Sequence, residues 1–195
     1  MRVFLTVLVL IFSFQSWTRA DDIRDFQIEG MSIGDSLLKY YSKSEIKKQL
    51  SKMSDGYASD KVKRIFFNPD KDSKYVQYNF HYINDESYKI VELKGGMLFE
   101  NKIKECYEKM LSVSKEIEES IKSISKDNYT SAHPADKTGK SKIKRIALKV
   151  NGGQINISCF VWSKEIKQER PWRDTLQVSI ASDMYLYWIA NEAYN

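Results

Sequence analysis

Apolar residues recur at every second position between residues 143 and 163. Ile146, Leu148 and Val150 alternate with Arg145, Ala147 and Lys149. After Asn151-Gly152-Gly153, Ile155, Ile157, Cys159 and Val161 alternate with Asn156, Ser158, Phe160 and Trp162. Two such runs joined by residues that tolerate positive φ predict a β-hairpin, each arm turning one aliphatic row to the core. Cys159 belongs to that row; Phe160 and Trp162 belong to the opposite one.

Between residues 101 and 124 the period becomes that of a helix. Ile103, Cys106, Met110, Val113, Ile117, Ile121 and Ile124 trace one stripe at spacings of three and four, with Lys and Glu opposite. Alternation or short apolar runs predict further strands over 62–67, 75–83 and 88–93, and another around Leu176, Val178 and Ile180. Ser182 and Asp183 stand where a last helix would be capped, carrying Met184, Leu186, Trp188, Ile189 and Tyr194. Near the start, Ser32 and then Ser42 or Ser44 read as caps of two short helices, an N-terminal helical hairpin. Gly95-Gly96 reads as a strand break, 126–142 as a polar surface loop, and 164–173 as a polar connector broken by Pro171.

The pattern therefore predicts an α+β fold: the helical hairpin, an antiparallel sheet, and one long amphipathic helix packed on it. Lys61-Val62-Lys63-Arg64-Ile65 recurs as Lys142-Ile143-Lys144-Arg145-Ile146, each copy followed by further strands and a helix. Either the chain holds two βββα halves, or Lys-rich strand starts coincide by chance among 31 basic residues.

The first twenty residues change the picture of where this domain works. Arg2, an apolar run over 3–14 and the ending Thr18-Arg19-Ala20 form the three parts of a secretory signal peptide. The run is short of the roughly 20 residues needed to span a bilayer. Residues 1–20 are thus read as a signal peptide and 21–195 as one domain, exported to a periplasm or secreted, with no later transmembrane segment. A net charge of +5, with Lys and Glu mingled along the chain, predicts a solvated surface and gives no case for a nucleic-acid partner.

Export also bears on the two cysteines. An even count in an oxidising compartment favours pairing, and the two rhythms put Cys106 on a buried helix face and Cys159 on a buried strand face. A Cys106–Cys159 disulfide stapling helix to hairpin is expected; the alternative is two buried free thiols.

Catalytic and cofactor signals are weak. Gly139-Lys140-Ser141 ends like a phosphate-binding loop, but Pro134 occupies the position where the leading glycine should stand. Two histidines, His81 and His133, supply no closed set of metal ligands. There is no G-x-S-x-G turn for a nucleophile. No cofactor and no metal are expected. Phe160 and Trp162 either pack under a second layer or form an exposed patch; in the latter case they, with Lys140 and Ser141, make the candidate binding surface.

The segment Gly30-Met31-Ser32-Ile33-Gly34-Asp35-Ser36-Leu37-Leu38 is similar to the first helix of BamE-like and β-lactamase-inhibitor-like envelope modules, in which two short helices precede antiparallel strands. The same opening from Ile28, with residues 136–141 and the Cys159-Phe160-Val161-Trp162-Ser163 stretch, resembles a family of small uncharacterised exported bacterial proteins. That resemblance implies export and no particular activity. The expected function is a non-catalytic envelope protein that binds or assists an unknown protein or small ligand. The alternative is an exported hydrolase-like enzyme, whose site would have to gather polar groups such as His81, His133, Asp136 or Ser141.

Overall fold

A computed structural model describes residues 22–52, 56–121 and 124–195. The signal peptide read over residues 1–20 lies outside the described residues.

Seven antiparallel strands form one sheet: β3 (Val62–Phe67), β4 (Gln77–Ile83), β5 (Ile90–Leu98), β6 (Ser125–Ala132), β7 (Lys142–Val150), β8 (Gly153–Val161) and β9 (Thr175–Ser182), in the order β3-β4-β5-β9-β8-β7-β6. A small ribbon, β1 (Gln27–Ile28) with β2 (Met31–Ser32), precedes it. Among the described residues four α-helices accompany the strands: α1 (Lys43–Leu50), α2 (Ile103–Ser120), α3 (Lys164–Glu169) and α4 (Asp183–Asn191).

The hairpin is β7–β8, turned at Gly152 with φ +75°, where a side chain would be strained. Its register sets Ile146 opposite Ile157, and β8 in turn pairs Ile157 with Val178 and Cys159 with Leu176. These residues bury one face of the sheet against α2, whose Cys106, Met110 and Ile117 close the core. Each fully buried aliphatic side chain here contributes about 1.5–3 kcal/mol. The expected disulfide is present: Cys106 is bonded to Cys159 with Cα atoms 6.2 Å apart, across 53 residues of chain. The chain-entropy account puts such a loop at about 4 kcal/mol.

Several expectations are corrected. The first helix of the N-terminal hairpin is one 3₁₀ turn, Leu37–Lys39, capped by Ser36. Gly34 at φ +94° and the extended Ser36 interrupt the backbone, and Ser32 pairs in β2 instead of capping a helix. Ser42 does cap α1, through a capping box with Glu45. Gly95 and Gly96 do not end β5. The Tyr75 ring lies across Gly95 so closely that an added Cβ would fall 2.6 Å from it, so the strand carries glycine to admit the ring. The polar stretch 126–142 contains all but the first residue of β6, an edge strand with every residue exposed, and the 164–173 connector contains α3, capped by Ser163. The α2 stripe is shorter than its period suggested: Ile103 and Ile124 are exposed.

The strands do fall into two three-stranded meanders, β3-β4-β5 and β7-β8-β9, which meet where β5 pairs with β9. The helices do not repeat. Tyr185 and Trp188 of α4 pack on Val62, Val91 and Ala181, on the face opposite α2.

Candidate binding site on the open face of the sheet

Alternation that sends aliphatic residues to α2 sends polar residues the other way. The register aligns them in rows across the strands: Arg64, His81 and Glu92 in one, Asn79, Lys94, Ser179 and Asn156 in the next, and Gln77, Gly96, Gln177, Ser158 and Arg145 in a third. Ser158 and Ser179 are buried in this face, and Arg145 Nε donates to Ser158 Oγ at 3.0 Å.

α4 roofs one end. Beneath it His81, 1% exposed, accepts or donates at Nε2 to the Tyr57 hydroxyl at 2.9 Å, while Nδ1 lies 2.5 Å from Glu92 Oε2. The Tyr185 ring packs 4.8 Å from the imidazole. Burial, partly opposed by Glu92, holds the His81 pKa below its ordinary value. Burial alone would raise the pKa of Glu92; Lys94 and His81 outweigh it and keep the carboxyl below the usual carboxylate range. Lys94 Nζ stands 3.0 Å from Glu92 Oε2.

The other end is open and holds a cavity of about 570 Å³. Its floor is Gln77, Lys94, Thr175 and Gln177 of the sheet; Phe160, Trp162, Trp172 and His133 form an aromatic wall. Val76, Leu98 and Arg173 lie at its margin, all exposed. The wall rings are half-buried. Trp162 packs 4.5 Å from Trp172 and 4.3 Å from His133, with Phe160 nearly parallel to Trp162 at 6.3 Å. Phe160 and Trp162 therefore neither lie under a full second layer nor stand free. They are one side of a pocket.

Two buried carboxylates place that wall. Asp174 accepts from the Trp162 amide at 2.9 Å, from Lys167 Nζ at 2.7 Å and from the Asn101 amide at 3.3 Å, tying the strand ends and α3 together beside Trp172. The guanidinium of Arg170 stacks over Trp172, 4.5 Å from the ring centre. Asp136 gathers the β6–β7 loop: its oxygens accept from the amide and hydroxyl of Thr138 and of Ser141. Hydrogen bonds to the charged form, from Ser141 first and then Thr138, hold its pKa far below the ordinary carboxylate value. The Ser141 hydroxyl also accepts from the Ser163 amide at 2.9 Å, and the His133 amide donates to the Ser141 carbonyl, which sets His133 beside Trp162.

Of the four residues proposed from sequence as a binding surface, Phe160 and Trp162 line the cavity. Ser141 does not: it is fully buried, its hydroxyl spent between Asp136 and Ser163. Lys140 is exposed and pairs with Glu165 at 2.6 Å, away from the lining. Of the groups a hydrolase would have to gather, His81 is under α4, whereas His133, Asp136 and Ser141 share the β6–β7 loop, where the serine hydroxyl faces a carboxylate and not an imidazole. Trp172, Lys94, Gln77 and Gln177 escaped sequence reasoning. The even-numbered polar positions of β5 and the odd-numbered ones of β9 were the available signal, but only the β5–β9 register brings them to one floor.

Comparison with protein-family models, with curated proteins and with solved structures found no match.

Proposed function

We propose that the protein is an exported, non-catalytic binding module, and that its ligand is a small molecule seated in the cavity between the aromatic wall and the polar sheet floor. The observation that carries this is the wall itself: Phe160, Trp162, Trp172 and His133 keep ring surface exposed around a cavity of about 570 Å³. That volume falls within the roughly 300–1,000 Å³ of small-molecule sites, which combine aromatic surface with a few directed polar groups. Placing these rings takes two buried carboxylates, and core packing alone gives no reason for rings left half open. Among the described residues the lining carries one imidazole and neither carboxylate nor thiol, which supports binding over acid–base or nucleophilic chemistry.

Export is supported by the leader-like start of the chain and by the Cys106–Cys159 bond, which suits an oxidising compartment. The resemblance to small exported bacterial proteins agrees with an envelope role. No helix among the described residues is long and apolar enough to cross a membrane.

Protein-observed NMR with a panel of small aromatic acids and oligosaccharides tests the reading. Binding should move the indole signals of Trp162 and Trp172 and leave that of Trp188, fully buried on the sheet-facing side of α4, in place. Compounds that bind without moving either wall indole would refute it.

A further inference from the structure

We infer that the cavity takes an acidic saccharide, an inference that rests on the binding reading above and names its ligand class. Three features of the lining converge on that chemistry. The first is charge. Among the described residues, Lys94 and Arg173 line the cavity and no carboxylate does. His133 adds no cation, because burial, only partly offset by Asp136, lowers its pKa. Lys94 gives one contact to Glu92 and keeps donors for a ligand, since an ammonium has three N–H groups. Arg173 Nε is 3.7 Å from Glu100, so its guanidinium also keeps donors to spend.

The second feature is the spread of neutral hydrogen-bonding groups. Gln77, Gln177 and Thr175 present amides and a hydroxyl across the floor, able both to donate and to accept. A benzoate-like acid has one polar end and would leave most of these groups unmatched; a ring carrying hydroxyls along its edge would engage them. The third is the wall. Phe160, Trp162 and Trp172 keep ring surface open to the cavity, against which the apolar face of a sugar ring can pack. A nucleic acid is a poorer match, because two cations cannot follow a phosphate backbone.

The test is a titration of the full, disulfide-bonded chain with three probes, read by tryptophan fluorescence: trigalacturonic acid, its neutral counterpart galactotriose, and benzoate. Trigalacturonic acid should bind saturably, with galactotriose weaker by roughly tenfold or more. Arg173→Gln, at an exposed position, should weaken the acidic sugar alone, as should added salt. Trp172→Ala should weaken both sugars, with circular dichroism confirming that each variant is folded. Equal affinity for the two sugars, or an Arg173→Gln chain that binds the acid unchanged, would overturn the inference. Binding of benzoate alone would overturn it while leaving a small-molecule site in place. Failure of all three probes, together with unmoved wall indoles across the wider NMR panel, would remove both.

Discussion

Glu92 Oε2 lies 3.0 Å from Lys94 Nζ, two positions along the same strand, so a carboxylate that is 5% exposed anchors the ammonium that faces the cavity. The same oxygen is 2.5 Å from His81 Nδ1. The buried row under α4 and the open floor of the site are therefore one electrostatic unit, and a change in the first is felt in the second.

Glu92→Gln should test that link. Removing the carboxylate leaves Lys94 and His81 without their common partner, and a buried polar group left unsatisfied costs about 1–3 kcal/mol. Chemical denaturation should show a lowered midpoint. An unchanged midpoint would mean that the row contributes nothing to stability.

The pH dependence has a defined sign. His81 has a folded pKa below the unfolded value of 6.5, so between the two the unfolded chain binds more protons. Its contribution to stability is complete above pH 6.5 and is lost as pH falls from there toward the lowered folded value. Glu92 acts in the same direction at lower pH: its depressed pKa adds stability above the unfolded carboxyl value, lost as pH falls below it. Urea midpoints should be lower at pH 5 than at pH 8, and His81→Gln should flatten that difference. A midpoint that rises on acidification would contradict the assignment.

Cys106→Ser with Cys159→Ser should cost about 4 kcal/mol by the loop-entropy account. Reducing agent should lower the urea midpoint of the parent chain and leave that of the double variant unmoved. Equal midpoints for the reduced and oxidised parent would remove the staple from the stability account.

Asp174→Ala takes the buried acceptor away from the Trp162 and Asn101 amides and leaves the half-buried Lys167 ammonium with Glu100 alone. With each orphaned group costing about 1–3 kcal/mol, the chain should lose stability. The near-ultraviolet circular dichroism of the tryptophans should weaken as the wall loses its fixed geometry. A variant with the parent's spectrum would show that the wall is set by ring packing alone.

Elements whose burial follows one simple period were readable in advance. Cys159 in a period-two row and Cys106 in a helical stripe pointed to a helix packed on a hairpin and to the bond joining them, because both faces are buried along most of their length. β6 offered no such signal. All eight of its residues are exposed, so nothing alternates; its place in the sheet comes from backbone pairing with β7, with Tyr129–Arg145 and Lys126–Glu118 contacts beside it. The N-terminal segment misled for a local reason: good caps and apolar residues at Ile33 and Leu37 look helical, yet Gly34 adopts a left-handed conformation that divides them. Half of the wall was legible, since Phe160 and Trp162 stand on the wrong face for the core. Trp172 was hidden in a charged connector, next in the chain but one to Asp174, whose partners come from 73 residues away at Asn101 as well as from Lys167. Lys94 reads as an ordinary strand lysine until register puts it beside Gln177 and the wall.

The central claim is that the aromatic wall and the polar floor are two sides of one ligand site. Its most direct test is a crystal structure of the full chain grown with the panel compound that moves the Trp162 and Trp172 indoles. The account predicts ligand density against Phe160 and Trp162, with polar atoms directed to Lys94, Gln77 or Gln177. Density for that compound elsewhere on the molecule, with the cavity empty, would contradict it.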